Sequence, residues 1–151
     1  MDWSHDIDLH RWIFGEIKEV FAFIGNLVFG KEYQSETEDI GNVVFKYKTG
    51  ALGVMCCDYL VDAPWAIEIG GDKGSIFGER HPRNWMCLTK GEAKKQFTFG
   101  EDKSHLRQMK HFIDCIRGRA EPLVSGKDGK KVVEIIQAAY QSVETARRVI
   151  L

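Results

Sequence analysis

The apolar positions of this chain change their spacing twice, and each change marks a different kind of element. Ser4 to Phe14 (S-H-D-I-D-L-H-R-W-I-F) reads as a short helix. Ser4 suits the N-cap, Asp6 and Asp8 suit the positive end of the helix, and Gly15 supplies a C-terminal stop. From Glu19 to Phe29, and again from Asn42 to Lys48, the apolar residues are β-branched or aromatic and partly alternate, the pattern of strands. Thr49-Gly50 separates V-V-F-K-Y-K from A-L-G-V-M-C-C-D-Y, a hairpin signal. W-A-I-E-I-G then runs into Gly71-Asp72-Lys73-Gly74 and re-emerges as S-I-F-G, while N-W-M-C-L-T and K-Q-F-T-F flank Lys90-Gly91-Glu92. The middle of the chain is predicted to be a meander of six or seven strands.

In the last third Leu106, Met109, Phe112, Ile113 and Ile116 recur at helical spacing and Gly118 closes the run. Ser125 with Asp128 three residues on resembles a capping box, and Val132, Val133, Ile136, Ala139, Tyr140, Val143 and Ala146 continue an apolar stripe toward Leu151. A helix, many antiparallel strands and two long helices, in that order, predict an α+β fold: an open, largely antiparallel sheet of six to seven strands with helices on one face. The other face of such a sheet needs a partner.

Composition narrows the function classes. The 151 residues are 44% hydrophobic and 28% charged, which suits one globular domain. Twenty-one Lys and Arg against 22 Asp and Glu leave no basic excess for a nucleic-acid backbone or an anionic membrane. No apolar stretch approaches the roughly 20 residues of a membrane span, and the start of the chain is polar and acidic rather than a signal peptide. Cys56, Cys57, Cys87 and Cys115 form no C-x-x-C pair and sit near no histidine at zinc-finger spacing, so no metal site is expected. Three of the four lie in apolar runs, which suits free thiols in a reducing, cytoplasmic setting.

The densest chemistry is Asp2, His5, Asp6 and Asp8, within seven residues at the first helix. Residues three or four apart share a helix face, so His5 can lie near Asp2 and Asp8. A carboxylate beside an imidazole fixes its tautomer and favours its charged form, the arrangement of a general acid or base. The same spacing is equally satisfied by acidic residues complementing the helix end, with His5 as an exposed first-turn residue. His10 lies five positions on, toward another side of the helix, and His81, His105 and His111 are scattered. Asp58 and Tyr59, at the end of an apolar strand, could present a carboxylate and a phenol to a polar ligand. Gly70-Gly71-Asp72-Lys73-Gly74 is followed by a strand, whereas a dinucleotide fingerprint needs a helix there, so this segment reads as a tight turn. The chain has no G-x-S-x-G, Walker A or H-E-x-x-H sequence.

Taken together, three stretches resemble the C-terminal domain of the glucose-fructose oxidoreductase, inositol dehydrogenase and rhizopine-catabolism (Gfo/Idh/MocA) family. M-D-W-S-H-D-I-D-L-H-R-W-I-F-G-E is similar to its D-x-x-H-[DE]-[IL]-D-x-x-R-W-L-x-G element. N-V-V-F-K-Y-K-T-G-A-L-G-V with A-I-E-I-G-G-D-K-G-S-I is similar to its hairpin and following strand pair, and M-K-H-F-I-D-C-I-R-G with P-L-V-S-G-K-D-G-K-K-V-V-E-I-I-Q-A-A-Y-Q-S to its closing helices.

The resemblance implies a domain like the C-terminal one of glyceraldehyde-3-phosphate dehydrogenase, spanning residues 1–151. It implies the substrate-binding and oligomerisation half of a sugar or polyol dehydrogenase, with NAD or NADP bound mainly by an N-terminal Rossmann domain that this chain lacks. His5 matches the family's proton-shuttling histidine and Asp2 its supporting aspartate, while Asp8, Asp58 and Tyr59 are the expected substrate contacts. It further implies a small-molecule sugar or polyol as partner and homo-oligomerisation through the open sheet face. A chain that opens so close to a helix cap is expected to have sequence upstream. The alternative is a non-catalytic dimerising or carbohydrate-binding module of the same fold.

Overall fold

The computed structural model describes residues 4–32, 36–61, 65–81, 85–100 and 103–151. In chain order the elements are α1 (Ser4–Phe14), β1 (Ile17–Gly25), α2 (Phe29–Glu32), β2 (Ile40–Tyr47), β3 (Leu52–Asp58), β4 (Trp65–Gly71), β5 (Gly74–His81), β6 (Trp85–Lys90), β7 (Ala93–Thr98), α3 (Ser104–Ile116), α4 (Gly126–Thr145) and β8 (Val149–Ile150). They form two compact units, Met1–Val61 with Leu123–Leu151, and Asp62–Pro122. The fold is α+β. Among the described residues, eight strands make two four-stranded sheets rather than one sheet of six or seven. The break follows β3, where the Asp58 carboxylate accepts the N–H groups of Leu60 and Val61 at 3.1 and 3.0 Å and turns the backbone out of the ladder.

In the first unit the antiparallel order is β3-β2-β1-β8. Burial alternates strictly along β2, so Val43, Phe45 and Tyr47 point into the core with Val20 and Ala22 of β1 and Met55 of β3. Val132, Ile135, Ala138 and Ala139 of α4 and Ile7 of α1 cover that face. Each fully buried aliphatic side chain there contributes about 1.5–3 kcal/mol relative to exposure.

The buried stripe of α4 is rotated from the expected one, since Val133, Tyr140 and Val143 are exposed while Ile135, Ala138 and Ser142 are inside. Adjacent apolar pairs (Val132-Val133, Ile135-Ile136) allow either stripe. The small residues at 138 and 142 let the helix come close to β1, and closeness selects the face. Ser125 begins α4 as expected, its N–H and hydroxyl both donating to Asp128 Oδ2 at 2.8 and 2.7 Å.

Strand β1 ends at Gly25, four residues short of the expected Phe29. Buried Asp39 explains this, because its carboxylate accepts the amides of Leu27, Val28 and Phe29 at 2.9, 2.7 and 2.9 Å and bends them into α2. Burial pushes the Asp39 carboxyl upward, but these amides outweigh it and hold the group below the usual carboxylate range.

In the second unit the order is β4-β5-β6-β7, antiparallel throughout. The turn from β4 to β5 needs Gly74: its φ is +142°, and a Cβ there would lie 2.1 Å from the Thr89 carbonyl oxygen. Helix α3 has the expected amphipathic pattern, yet no residue of it is buried and Leu106, Met109, Phe112, Ile113 and Ile116 are exposed.

Candidate active site

Helix α1 carries the site candidates, and its packing decides which of them face outward. Ile7, His10 and Phe14 lie on one side, with Ile7 in the core and the other two rings against Phe45 and Tyr47. At about 100° per residue, His5 and Trp12 fall on one line about half a turn from that side. Both are exposed, Trp12 at 83%. Asp8, one turn after His5, is half-buried on the flank of the same outward face. Gly15 stops the helix, its N–H donating to the Arg11 carbonyl at 2.9 Å with φ at +83°.

The structure therefore brings His5 and Asp8 together on one helix face. Asp2 lies outside the described residues. Arg11 holds Asp8: one guanidinium nitrogen lies 3.5 Å from Asp8 Oδ1, and the same side chain pairs with Glu16 at 2.7 Å and with Asp128 at 3.6 Å. Asp58 is exposed and spends one carboxylate oxygen on its own turn. Tyr59 is exposed, and its N–H donates to the Asp39 carbonyl at 2.9 Å.

Under α1 lies a second set of polar groups that spacing did not reveal. His10 Nδ1 is 2.5 Å from the Tyr47 hydroxyl. Burial holds His10 below the ordinary imidazole value against the opposing pull of Asp6, and burial pushes the Tyr47 phenol up to about 12. Both groups are thus neutral near pH 7 and share one hydrogen bond, whose direction follows the imidazole tautomer. The Tyr47 ring has room only because residue 53 is glycine: a Cβ there would stand 2.8 Å from the hydroxyl oxygen. Burial, with Asp6 adding to it, pushes the Cys57 thiol up to about 11, so it is a protonated thiol and not a nucleophile. One signal in the sequence pointed to this layer: His10 sits three residues after Ile7 and four before Phe14, on the apolar side of α1.

No three His, Cys, Asp or Glu side chains converge as a metal site among the described residues. A nicotinamide dinucleotide does not fit the glycine turn either. Gly70 to Gly74 joins two paired strands, so no helix N-terminus stands ready for a pyrophosphate. No helix among the described residues is long and apolar enough to cross a membrane.

Comparison with known proteins places this geometry. Residues 1–151 match the model of the oxidoreductase family's C-terminal alpha/beta domain. The chain is 34% identical to a myo-inositol 2-dehydrogenase of Thermotoga maritima over 156 residues, which is 96% of this chain and 46% of that protein. The structure superposes on the WlbA dehydrogenase from Bordetella pertussis, a complex with NADH and UDP-GlcNAcA, with a TM-score of 0.74 at 25% identity, covering 99% of this chain and 43% of the other. It superposes on the aldose-aldose oxidoreductase from Caulobacter crescentus with a TM-score of 0.83 at 24% identity, covering 98% and 45%. The chain spans about half the length of the relatives it matches. With a match from the first residue to the last, and a histidine-bearing helix laid across a sheet-and-helix core, this chain belongs to the Gfo/Idh/MocA oxidoreductases as their C-terminal alpha/beta domain.

Proposed function

We propose that this chain is the substrate-side half of an NAD(P)-dependent oxidoreductase that acts on a hydroxyl carbon of a sugar, polyol or related carbinol. The nicotinamide nucleotide belongs to a Rossmann half outside these 151 residues, and that half supplies the hydride acceptor. The observation that carries the reading is that His5 and Asp8 share the outward face of α1, away from the core that Ile7 and Phe14 enter. That face, with the exposed indole of Trp12, is the surface on which the other half closes.

In this reading the His5 imidazole takes the proton of the reacting hydroxyl, Asp2 supports it, and Asp8 accepts a hydrogen bond from a neighbouring hydroxyl. The Tyr59 phenol is a further polyol contact, while Asp58 chiefly forms its turn. A positioned general base of this kind is worth about 10² to 10⁴ in rate, or about 3 to 5 kcal/mol of barrier. The myo-inositol 2-dehydrogenase relative favours a cyclic polyol as the first substrate to try. The outer face of the β3-β2-β1 sheet, which exposes Phe23, Val44, Leu52 and Val54, is the surface through which copies pair.

The test is turnover of the enzyme assembled with its cofactor-binding half, with myo-inositol, D-apiose and D-glucose offered against NAD+ and NADP+. His5→Ala is expected to lower kcat at least about 100-fold while the cofactor Kd stays put. Unchanged kcat in that variant rejects the proton relay, and a wild type that binds polyol without oxidising it makes the chain a binding module instead.

A further inference from the structure

The Arg11 side chain is 9% exposed and faces three carboxylates. One terminal nitrogen reaches Glu16 Oε1 at 2.7 Å and Asp128 Oδ1 at 3.6 Å; the other reaches Asp8 Oδ1 at 3.5 Å and the Asp128 carbonyl at 3.4 Å. Asp128 is itself fixed by the Ser125 N–H and hydroxyl at the start of α4. A rigid chain of contacts thus runs from the first turn of α4, through Asp128 and Arg11, to a carboxylate on the outward face of α1.

We infer that Arg11 is a positioning residue for the substrate: it fixes the Asp8 carboxylate so that its remaining oxygen meets a polyol hydroxyl in one orientation. The inference rests on the reading of Asp8 as a substrate contact and adds the group that makes that contact selective. Two features carry it beyond a plain helix-to-helix tie. First, Asp8 is pinned at Oδ1 alone; Oδ2 has no hydrogen-bond partner among the described residues, and the side chain is 35% exposed. Second, the guanidinium spends its terminal nitrogens on these carboxylates while its buried Nε finds no acceptor among the described residues. Ion pairs to carboxylates this exposed add little net stability, so what the arrangement provides to Asp8 is geometry. A carboxylate held in one rotamer spends less entropy when a hydroxyl binds, and a planar fork holds it better than a point charge can.

The experiment is a double-mutant cycle in the assembled enzyme, using whichever of myo-inositol, D-apiose and D-glucose the wild type oxidises. Arg11→Met is expected to raise KM for that substrate about 10-fold with the cofactor Kd unchanged. In an Asp8→Asn background the same change is expected to add less than about 2-fold, because the carboxylate it orients is gone. Arg11→Lys keeps a cation and serves where the methionine variant does not fold; it is expected to hold Tm and still raise KM. Wild-type KM in Arg11→Lys, or an Arg11→Met effect that multiplies in full onto that of Asp8→Asn, overturns the inference and leaves the functional reading standing. An Asp8→Asn enzyme with wild-type KM, or a wild type inactive on all three substrates, overturns the reading of Asp8 and the inference with it.

Discussion

The Ser142 hydroxyl accepts the Ala22 backbone N–H at 3.1 Å and donates to the Arg147 carbonyl at 2.7 Å. It takes the place of a strand. β8 pairs with Glu19 and Val20 of β1, and Ala22 lies just beyond that reach. Its buried N–H therefore takes a side chain from α4, and the same hydroxyl secures the turn that brings β8 back to the sheet edge. Ser142→Ala leaves a donor and an acceptor without this partner in a fully buried place, and is expected to cost about 1–3 kcal/mol in urea unfolding. A loss below a few tenths of a kcal/mol would mean that the backbone finds other partners.

Gly53 is where β3 makes room for a core aromatic ring. Its added Cβ would meet the Tyr47 hydroxyl at 2.8 Å and a ring carbon at 3.1 Å. Tyr47 cannot swing aside freely, since its ring packs on Phe14 and its hydroxyl is bonded to His10. Gly53→Ala is therefore expected to destabilise by about 1–3 kcal/mol, the usual cost of overpacking a filled core. Chemical shifts of the His10 ring would report whether Tyr47 has moved; an unshifted ring with unchanged Tm would contradict this account.

The relation of sequence to fold is uneven along the chain, for reasons that can be named. α1 was legible to its end residues because Ser4, Asp6, Asp8 and Gly15 are local signals that act within one turn. The hairpins were legible because Thr49-Gly50 and Gly71 to Gly74 are turn chemistry. The end of β1 was not, because Asp39 acts on Leu27 across the fold, and no window of neighbouring residues contains that hydrogen bond. The buried stripe of α4 was misplaced for a similar reason: Ser142 is polar, and only its bond to Ala22 explains why it faces inward. On α1, the outward face shared by His5 and Asp8 was legible from helical spacing, whereas the contacts of Arg11 include Asp128, 117 positions away. His10 was legible as a residue on the apolar side of α1, but its bond to Tyr47 was not, the two being 37 positions apart.

The half-buried His10 is expected to make stability depend on pH near neutrality. Its folded value lies below the ordinary 6.5, with burial as the main cause, so in the window beneath 6.5 the unfolded chain binds more protons than the folded one. Stability is then fully present above about pH 6.5 and declines as the pH falls through that value toward the folded one. Tm is expected to drop between pH 7.5 and 5.5, and His10→Asn, which keeps an acceptor for the Tyr47 hydroxyl, is expected to flatten that drop. An equal slope in both proteins would remove His10 from the explanation.

The outward face of the first sheet sets the last expectation. Val44 and Val54 are directly cross-strand, Phe21 stands opposite Val44 on β1, and Leu52 and Phe23 extend the same surface. Leu52 is 75% and Phe23 68% exposed. A contiguous apolar surface of this kind is uncommon on a protein that stays alone in water, and Asn42 and Lys46 interrupt it without dividing it. Because side chains alternate faces, a charge at position 54 enters this surface and leaves the core residues, including neighbouring Met55, in place. Val54→Asp is therefore expected to leave Tm nearly unchanged while converting a dimer or larger assembly to monomer in sedimentation velocity. A wild type that sediments as a monomer at tens of micromolar, or an assembly that survives the aspartate, would place the contact between copies elsewhere on the molecule.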